Sequence, residues 1–369
     1  MHMKHTPKTI AIDARIINSG TGRYIERLIS HLEELDTTNK YVILVREKDK
    51  DYWKPSKPNF RVEVADFADY SFGEQLGFLQ FLHKLQPDLV HFCMPQQPLL
   101  YRGKKVTTVH DLNLLRITET DDMSPLVFTI KQNIFKLLLR RVMRTSKELI
   151  TISEYSKQDM LAFEPVPEEK ITVTLEAATT KATKATPLKK FKDEQFITYV
   201  GRAEPYKNNR GLIKAHQLLL SKFPDLKLLI VGRKDVWRER DEAWVKEEGY
   251  KNVIFTGFIS DEEQAWLYQN CKTYVFPSFM EGFGLPGLEA MQHGAPVVSS
   301  DATCLPEILG DAAVYFDAHS PTDMARAIEE VLNDKALADE LSKKGIAQAK
   351  KYSWERMAKQ TLEVYKRAL

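Results

Sequence analysis

The sequence predicts an α/β protein built from two doubly wound, Rossmann-like domains. The chain has 369 residues, 43% of them hydrophobic, which is enough for two domains that each bury a substantial core. Short apolar segments alternate with helical periods along the chain, a pattern that indicates mainly parallel sheets. Residues 179–195 are rich in Thr and Lys and lack an apolar period, so we predict a linker there. The predicted domains are then 1–178 and 196–352, followed by a last helix at 353–369.

The composition limits the partners and the compartment. The 53 basic and 51 acidic residues give a net charge of +2, so no overall field recruits nucleic acid and we predict no such partner. Cys93, Cys271 and Cys304 are odd in number and lack metal-ligand spacing, which indicates reduced thiols in a cytoplasmic protein. No long apolar segment precedes the first apolar strand at 9–13, so we predict neither a signal peptide nor a membrane span.

In the first domain, apolar segments predict strands at 9–13, 41–45, 60–64, 89–92, 105–110 and 148–152, and helical spacing predicts helices at 23–35, 74–85, 129–147 and 153–163. Gly20 and Gly22 lie between the first strand and the first helix. A nicotinamide-binding fingerprint requires another glycine where Ile25 stands, which disfavours an oxidoreductase. The two glycines fit a tight turn or contact with a ligand's phosphate equally well.

Two further features of the first domain each leave two interpretations open. His110 and Asp111 follow a strand end, where ligands of open α/β sheets bind, although His110 fits a structural role and Asp111 a turn cap as well. The helix at 129–147 is both basic and strongly apolar. It fits a core helix whose basic side chains reach water, or a helix in peripheral contact with an anionic membrane.

In the second domain, the same patterns predict strands at 196–200, 227–231, 253–256, 273–276, 296–299 and 313–316, and helices at 212–223, 261–270, 321–332, 336–350 and 354–368. Arg202 and Lys207 follow the first of these strands. Two cations at this spacing fit a clamp for a diphosphate, with Arg202 as a fork and Lys207 as a point charge. Exposed surface cations are the alternative.

A glycine-rich loop lies between two carboxylates, in the run Glu281-Gly-Phe-Gly-Leu-Pro-Gly-Leu-Glu289. We predict that a helix starts near Leu285 and that Glu289 lies in its first turn, because proline at residue 286 suits that position. Free N–H groups at a helix start attract phosphate, and Gly284 has no Cβ to obstruct it. Each carboxylate can accept two O–H bonds from a vicinal diol, so the run fits a nucleotide sugar. Alternatively, Glu289 only favours the helix dipole and Glu281 is a solvated charge.

This nine-residue pattern between strand and helix resembles the signature of retaining glycosyltransferase family four, and the resemblance extends over most of the chain. It implies the GT-B fold, in which two domains face each other across a cleft and the last helix crosses back to the first domain. The nucleotide sugar would lie mainly on the second domain and the acceptor on the first. The resemblance implies catalytic roles for His110, Glu281, Arg202 and Lys207, and donor contacts from Gly20, Gly22, Arg202, Lys207, Phe258, Gly284, Leu285 and Glu289. For Phe258, packing is the alternative.

The resemblance also implies the reaction, transfer of a hexosyl group from a nucleoside diphosphate sugar with retained anomeric configuration and without metal or another cofactor. The single Asp-x-Asp run, Asp49 to Asp51, is interpreted as a solvated turn rather than a Mg²⁺ site. The runs that begin at Ile12 and His110 look most like mannosyl- and rhamnosyltransferases, so GDP-mannose is the first expectation for the donor.

The expected acceptor is a glycan or lipid-linked saccharide of polysaccharide biosynthesis. The expected location is the cytoplasm, or the inner face of the cell membrane if the helix at 129–147 binds lipid. Alternatives are a sugar-phosphate synthase or phosphorylase of the same fold, and a non-catalytic nucleotide-sugar-binding protein.

Overall fold

The computed structural model describes residues 6–69, 71–117, 124–178 and 184–369. The chain divides into two compact units, which are Met1–Glu176 with Ser353–Leu369, and Ala177–Tyr352. Of the predicted linker, residues 179–183 lie outside the described residues. The rest of it is part of the second unit, in which Phe191 is buried and the Thr186 N–H donates to the Glu262 carbonyl at 3.0 Å.

The first unit contains a seven-stranded sheet in the order β3-β2-β1-β4-β5-β6-β7, and all its pairs are parallel. Its strands are β1 (Thr9–Asp13), β2 (Lys40–Val45), β3 (Phe60–Val64), β4 (Leu89–Phe92), β5 (Lys105–Thr108), β6 (Glu148–Thr151) and β7 (Ile171–Val173). The predicted parallel sheet is confirmed. β7 was missed because three residues are too few to set up a period, and β5 ends two residues before the prediction.

The helices that follow these strands are α1 (Gly22–Leu35), α2 (Leu79–Leu85), α3 (Pro125–Thr145) and α4 (Glu154–Phe163). In α1 the apolar residues at helical spacing, among them Ile25, Leu28 and Leu32, are fully buried, as predicted. Ser153 caps α4 by accepting the N–H of Ser156 at 3.1 Å. The predicted helix at 74–85 is α-helical only from Leu79, because Gly73–Phe78 forms a wider π-helical turn.

The second unit contains a six-stranded parallel sheet in the order β10-β9-β8-β11-β12-β13. The strands are β8 (Phe196–Val200), β9 (Lys227–Val231), β10 (Val253–Gly257), β11 (Tyr274–Phe276), β12 (Val297–Ser300) and β13 (Ala313–Phe316). Because all the strands are parallel, their carboxyl ends meet at one edge of the sheet. The loops that carry Arg202, Phe258 and Glu281 all start there.

The helices of this unit are α5 (Asn209–Leu219), α6 (Val236–Glu247), α7 (Asp261–Asn270), α8 (Leu285–Gln292), α9 (Leu305–Leu309), α10 (Pro321–Asn333) and α11 (Lys335–Ala349). The core lies between the sheet and α5 and α10, where Leu212 and Ile328 pack with Leu228. α6 and α9 were missed. α6 is largely charged, so its apolar period is weak, and α9 has only five residues.

The last helix, α12 (Trp354–Ala368), belongs to the first unit and packs on α1. The Tyr365 hydroxyl and His91 Nδ1 share a hydrogen bond of 2.6 Å, and Thr108 Oγ1 contacts His91 Nε2 at 2.8 Å. Burial is the main cause that lowers the pKa of His91 to about 3, and the charge of His110 is a smaller one. Within the described ranges, no helix is both long enough and apolar enough to cross a membrane.

Candidate functional site

The edge formed by the strand ends of the second unit brings Lys207 and Glu281 together. Lys207 Nζ donates to Glu281 Oε1 at 2.7 Å, and Ser278 Oγ donates to the same oxygen at 2.7 Å. The side chains of Lys207 and Glu281 are only 17% and 10% exposed. Burial alone lowers the pKa of Lys207. The negative charge of Glu281, the electrostatic effects of Tyr199 and Tyr206, and the hydrogen bond to Glu281 together outweigh burial and raise that pKa above its ordinary value. The two residues therefore form a largely buried ion pair.

Lys207 is fixed by the residue that follows it. Asn208 has a left-handed backbone, with φ of 58°, which ends the short 3₁₀ turn Pro205–Lys207. The Asn208 side-chain amide donates to the Pro277 carbonyl at 3.0 Å and to the Ala318 carbonyl at 2.8 Å. The turn that carries Lys207 is therefore tied to the loop after β11, which carries Glu281.

Arg202 is held differently, since its side chain is 75% exposed. Its Nε donates to Glu204 Oε1 at 2.7 Å, and the Tyr199 hydroxyl donates to its backbone carbonyl at 2.9 Å. A Cβ on the preceding Gly201 would meet that hydroxyl at 2.3 Å, so a larger residue there would displace the Tyr199 side chain. The two predicted cations thus lie on one loop. Lys207 is held by its ion pair with Glu281, whereas the Arg202 side chain extends into solvent. Glu204, which the sequence interpretation missed, holds Arg202.

The helix start expected for phosphate binding is present at α8. Gly284 precedes it with φ of 101°, and a Cβ there would meet the Leu305 side chain at 2.8 Å. A glycine is therefore needed for both conformation and space. α8 begins at Leu285, as predicted. The prediction that Glu289 lies in the first turn of this helix is wrong, because Glu289 is its fifth residue and lies in the second turn. The Glu289 side chain is largely buried.

Phe258 follows β10 at the same edge of the sheet, and this residue is 71% exposed. The alternative that Phe258 packs in the interior is therefore wrong. Phe258 follows Gly257, which ends β10 with a left-handed backbone, φ of 86°. The Arg233 guanidinium carbon lies 5.7 Å from the ring centroid, within range of a cation–π contact. An exposed aromatic ring beside a cation is a suitable surface for a planar base. Arg233 was not identified from the sequence.

In the first unit, His110 lies two residues beyond the end of β5. Its Nε2 donates to the Cys93 carbonyl at 3.1 Å, and its Nδ1 lies 3.7 Å from Glu176 Oε1. The Tyr24 ring meets the imidazole edge-on at 4.9 Å between centroids. Because a carbonyl only accepts, Nε2 carries a proton and Nδ1 faces the carboxylate. Glu176 is a buried partner that the sequence interpretation did not identify.

The two glycines of the first loop differ in their surroundings. A Cβ on Gly22 would meet the Ile17 carbonyl oxygen at 1.8 Å, so a tight turn explains this glycine. Gly20 is exposed, and a Cβ there would have no atom within 4 Å. Space for a ligand therefore exists at Gly20.

Two charged runs of the first unit have structural roles. Arg15, in the run that suggested mannosyltransferases, pairs with Asp13 at 2.8 Å and Glu74 at 2.9 Å, and all three are buried. Asp49 is also buried and accepts from the Asn18 amide at 3.2 Å, so its interpretation as solvated is wrong. Across the described ranges, no three His, Cys, Asp or Glu side chains are placed to hold a metal ion. Cys93, Cys271 and Cys304 are buried and form no disulfide with one another.

Comparison with known proteins identifies the class. The family model described as Glycosyl transferases group 1 matches residues 180–350, and that described as Glycosyltransferase Family 4 matches residues 18–175. Sucrose-phosphate synthase from Thermosynechococcus elongatus superposes with a TM-score of 0.77 at 19% identity, over 97% of this chain and 98% of that one. HepE from Anabaena, solved with UDP and glucose, gives 0.73 at 17% identity, over 98% and 99%. The two parallel-sheet units are those of a GT-B glycosyltransferase.

Similarity to a curated protein shows which glycosyltransferase family the chain belongs to. O-antigen chain mannosyltransferase B from Escherichia coli is 32% identical over 274 residues, which cover 71% of this chain and 70% of that protein. The chain belongs to glycosyltransferase family four and is mannosyltransferase-like. That the two domains face each other across a cleft stays a prediction.

Proposed function

We propose that the protein transfers a mannosyl group from GDP-mannose to a glycan or lipid-linked saccharide, with retained anomeric configuration and without a metal ion. The observation that carries the proposal is the buried Lys207–Glu281 pair beside the glycine-bounded start of α8. A cation, a helix start and a carboxylate at one edge suit the diphosphate and the hydroxyls of one donor. Mannose as the sugar rests on the name of the Escherichia coli relative. HepE, solved with UDP and glucose, supports a nucleotide sugar in general.

Each predicted residue then has a role in this proposal. Lys207 and Arg202, with the N–H groups at the start of α8, stabilise the charge that develops on the departing diphosphate. Glu281 holds the sugar hydroxyls and orients the reacting carbon, while the acceptor binds to the first unit. Glu289 binds the ribose diol, the base lies against Phe258, and His110 contacts the far side of the sugar. Further donor contacts come from Gly20, Gly22, Gly284 and Leu285.

Retention follows if the acceptor attacks from the face that the diphosphate leaves. The bond between the anomeric carbon and the acceptor oxygen forms as the bond to the phosphate oxygen breaks, and that phosphate oxygen takes the acceptor's proton. No covalent nucleophile is required. In this scheme Lys207 and Arg202 supply the positive charge that a metal ion supplies in other phosphate sites.

The test is a transfer assay with GDP-mannose, UDP-glucose and dTDP-rhamnose in the presence of EDTA. The acceptors are mannose oligosaccharides, a lipid-linked saccharide and sugar phosphates, and NMR couplings report the anomeric configuration of the product. We expect transfer from GDP-mannose with α configuration, abolished in Glu281→Gln. A β product would contradict retention, loss of transfer in EDTA would contradict metal independence, and transfer only to sugar phosphates would favour a synthase.

We also propose that α3 contacts an anionic membrane surface. Residues 125–147 contain no Asp or Glu, and they contain the basic residues Lys131, Lys136, Arg140, Arg141, Arg144 and Lys147. Leu126, Ile130, Ile134 and Leu137, spaced by three or four residues, are each half or more exposed and form one apolar face. The interpretation of α3 as a core helix therefore fails for this half, whereas its last turns, with Leu139 and Met143, are buried.

The membrane proposal rests on charge complementarity and apolar burial. Arg140 and Arg144 both contact Glu164, at 3.7 and 2.7 Å, so part of the charge is neutralised within the unit. Lys131 lies beside the apolar face and is exposed. Each buried Leu or Ile contributes on the order of 1–2 kcal/mol, and each basic residue near an anionic surface contributes about 1 kcal/mol. Together these are enough for reversible binding.

Sedimentation with vesicles tests the contact. We expect the protein to pellet with vesicles that contain phosphatidylglycerol and to remain in solution with phosphatidylcholine alone. The double variant Ile134→Asp with Leu137→Asp should lose binding at least about tenfold. Leu218→Asp changes a leucine of the second unit that is 52% exposed, and this variant should bind like the wild type. Lipid as the partner would be refuted if the double variant and Leu218→Asp bound the vesicles equally well. It would also be refuted if the protein formed a stable dimer in solution that only the double variant disrupted.

A further inference from the structure

The turn between β12 and α9 contains a backbone conformation that its residue type disfavours. Thr303 has φ of 53°, in the left-handed region. Among the described residues, the other non-glycine residues with positive φ are Gln86, Asn208 and Asn252, so Thr303 is the one with a branched Cβ. Branching makes this conformation costly, and glycine would adopt it freely. The protein therefore keeps a strained threonine where glycine would fit the backbone better.

The strained threonine and its neighbour contact the backbone of Glu281. The Glu281 N–H donates to Thr303 Oγ1 at 3.0 Å. The Glu281 carbonyl accepts from the Cys304 thiol at 3.2 Å. These two residues lie 22 and 23 positions after Glu281, so the turn is a separate element that grips both sides of that residue. Both backbone groups of Glu281 are thus satisfied by side chains of one turn.

The side chain of Glu281 is fixed from a third direction. Ser278 and Lys207 both donate to Oε1, and Ser300 Oγ donates to the Ser278 carbonyl at 2.7 Å. In the described part of the chain, no hydrogen bond of Glu281 Oε2 is found. The fixed Oε1 and the braced backbone together set the direction in which Oε2 points. Strained residues persist where the surroundings hold them, and they cluster at functional sites.

We propose that Thr303 is a positioning residue, whose hydroxyl braces Glu281 so that Oε2 is aimed at a hydroxyl of the donor sugar. This inference rests on the proposed function of Glu281. Thr303 itself touches no substrate and moves no proton. Changing Thr303 should affect how the donor sugar is held and should leave the affinity for the nucleoside diphosphate unchanged.

The variants Thr303→Gly, Thr303→Val and Thr303→Ser separate bracing from turn formation. Glycine relieves the backbone strain but removes the hydroxyl, valine keeps the branched shape without the hydroxyl, and serine keeps the hydroxyl. We expect kcat to fall about tenfold in the glycine and valine variants, the effect of about one lost hydrogen bond. The Kd for GDP should stay within about twofold of the wild type. Serine should restore kcat, and the glycine variant should melt no lower than the wild type.

Hydrogen exchange of the Glu281 amide gives a readout that does not depend on turnover. We expect this amide to lose protection in the glycine and valine variants and to keep it in the serine variant. If Thr303→Gly transfers sugar like the wild type, the positioning role is refuted. If the wild type transfers no sugar at all, the proposed function fails instead, and unchanged protection in the valine variant would refute the brace independently.

Discussion

Replacing Lys207 by methionine should destabilise the ligand-free protein through Glu281. Lys207 and Glu281 are 2.7 Å apart and are 17% and 10% exposed, so the substitution leaves a largely buried carboxylate without its cation. Removing one partner of a buried ion pair costs about 3–5 kcal/mol. Ser278 retains its hydrogen bond to the same oxygen, which puts the loss near the lower limit, about 3 kcal/mol. Glu281→Gln removes the charge, so the double variant should recover at least about half of the loss.

Urea unfolding measures this prediction, and pH provides a further check. A lysine whose pKa is raised in the folded state contributes stability that is complete below its unfolded pKa, about 10.5, and is lost only as pH rises through the folded value. The loss in Lys207→Met should therefore be the same at about pH 6 and about pH 9. The account of the pair would be refuted if Lys207→Met had the same free energy of unfolding as the wild type. It would also be refuted if the loss of stability in the double variant equalled the sum of the losses in the two single variants.

Two further predictions concern stability away from this pair. Gly22→Ala should lower the free energy of unfolding by about 2 kcal/mol, because its Cβ would overlap the Ile17 carbonyl, whereas Gly20→Ala, with open space around it, should change it by less than about 0.5 kcal/mol. Burial lowers the pKa of His91 to about 3 and that of His216 to about 4, so the unfolded chain binds more protons below about pH 6. Together the two histidines should lower the free energy of unfolding by up to about 2.7 kcal/mol per pH unit as pH falls from about 6 to 4. The variant His216→Gln should show about half of this slope. Urea unfolding at several pH values would contradict this explanation if the slope were unchanged in that variant.

The two parallel sheets were predictable because strands buried on both faces form short apolar runs, and the alternation with helices indicates parallel pairing. β1 and β8, for example, are almost fully buried and match the predicted bounds. The sequence did not reveal the elements that lack a period of their own, which are β7, α6 and α9. The order of strands in each sheet also depends on long-range pairing that no local pattern reports.

The residue types of the candidate site could be proposed from the sequence, but their contacts could not. The spacing of the carboxylates, cations and glycines along the chain left structural alternatives open, and the resemblance to glycosyltransferase family four favoured the functional interpretation. That Lys207 pairs directly with Glu281 was not expected, because 74 residues separate them and each was assigned to a different part of the donor. Thr303 gave no signal either, since a left-handed backbone is expected at glycine or asparagine. The exposure of Phe258 depends on how the chain leaves β10, which residue type alone does not determine.

Calorimetric titration with GDP and with GDP-mannose tests the central claim, that the second unit holds the nucleotide through Glu289 and the sugar through Glu281. The wild type should bind both ligands. Glu289→Gln should weaken both at least about tenfold, whereas Glu281→Gln should weaken GDP-mannose by about that factor and leave GDP unchanged. If the wild type binds neither ligand, or if both variants bind both ligands as the wild type does, the donor site is not where this account puts it.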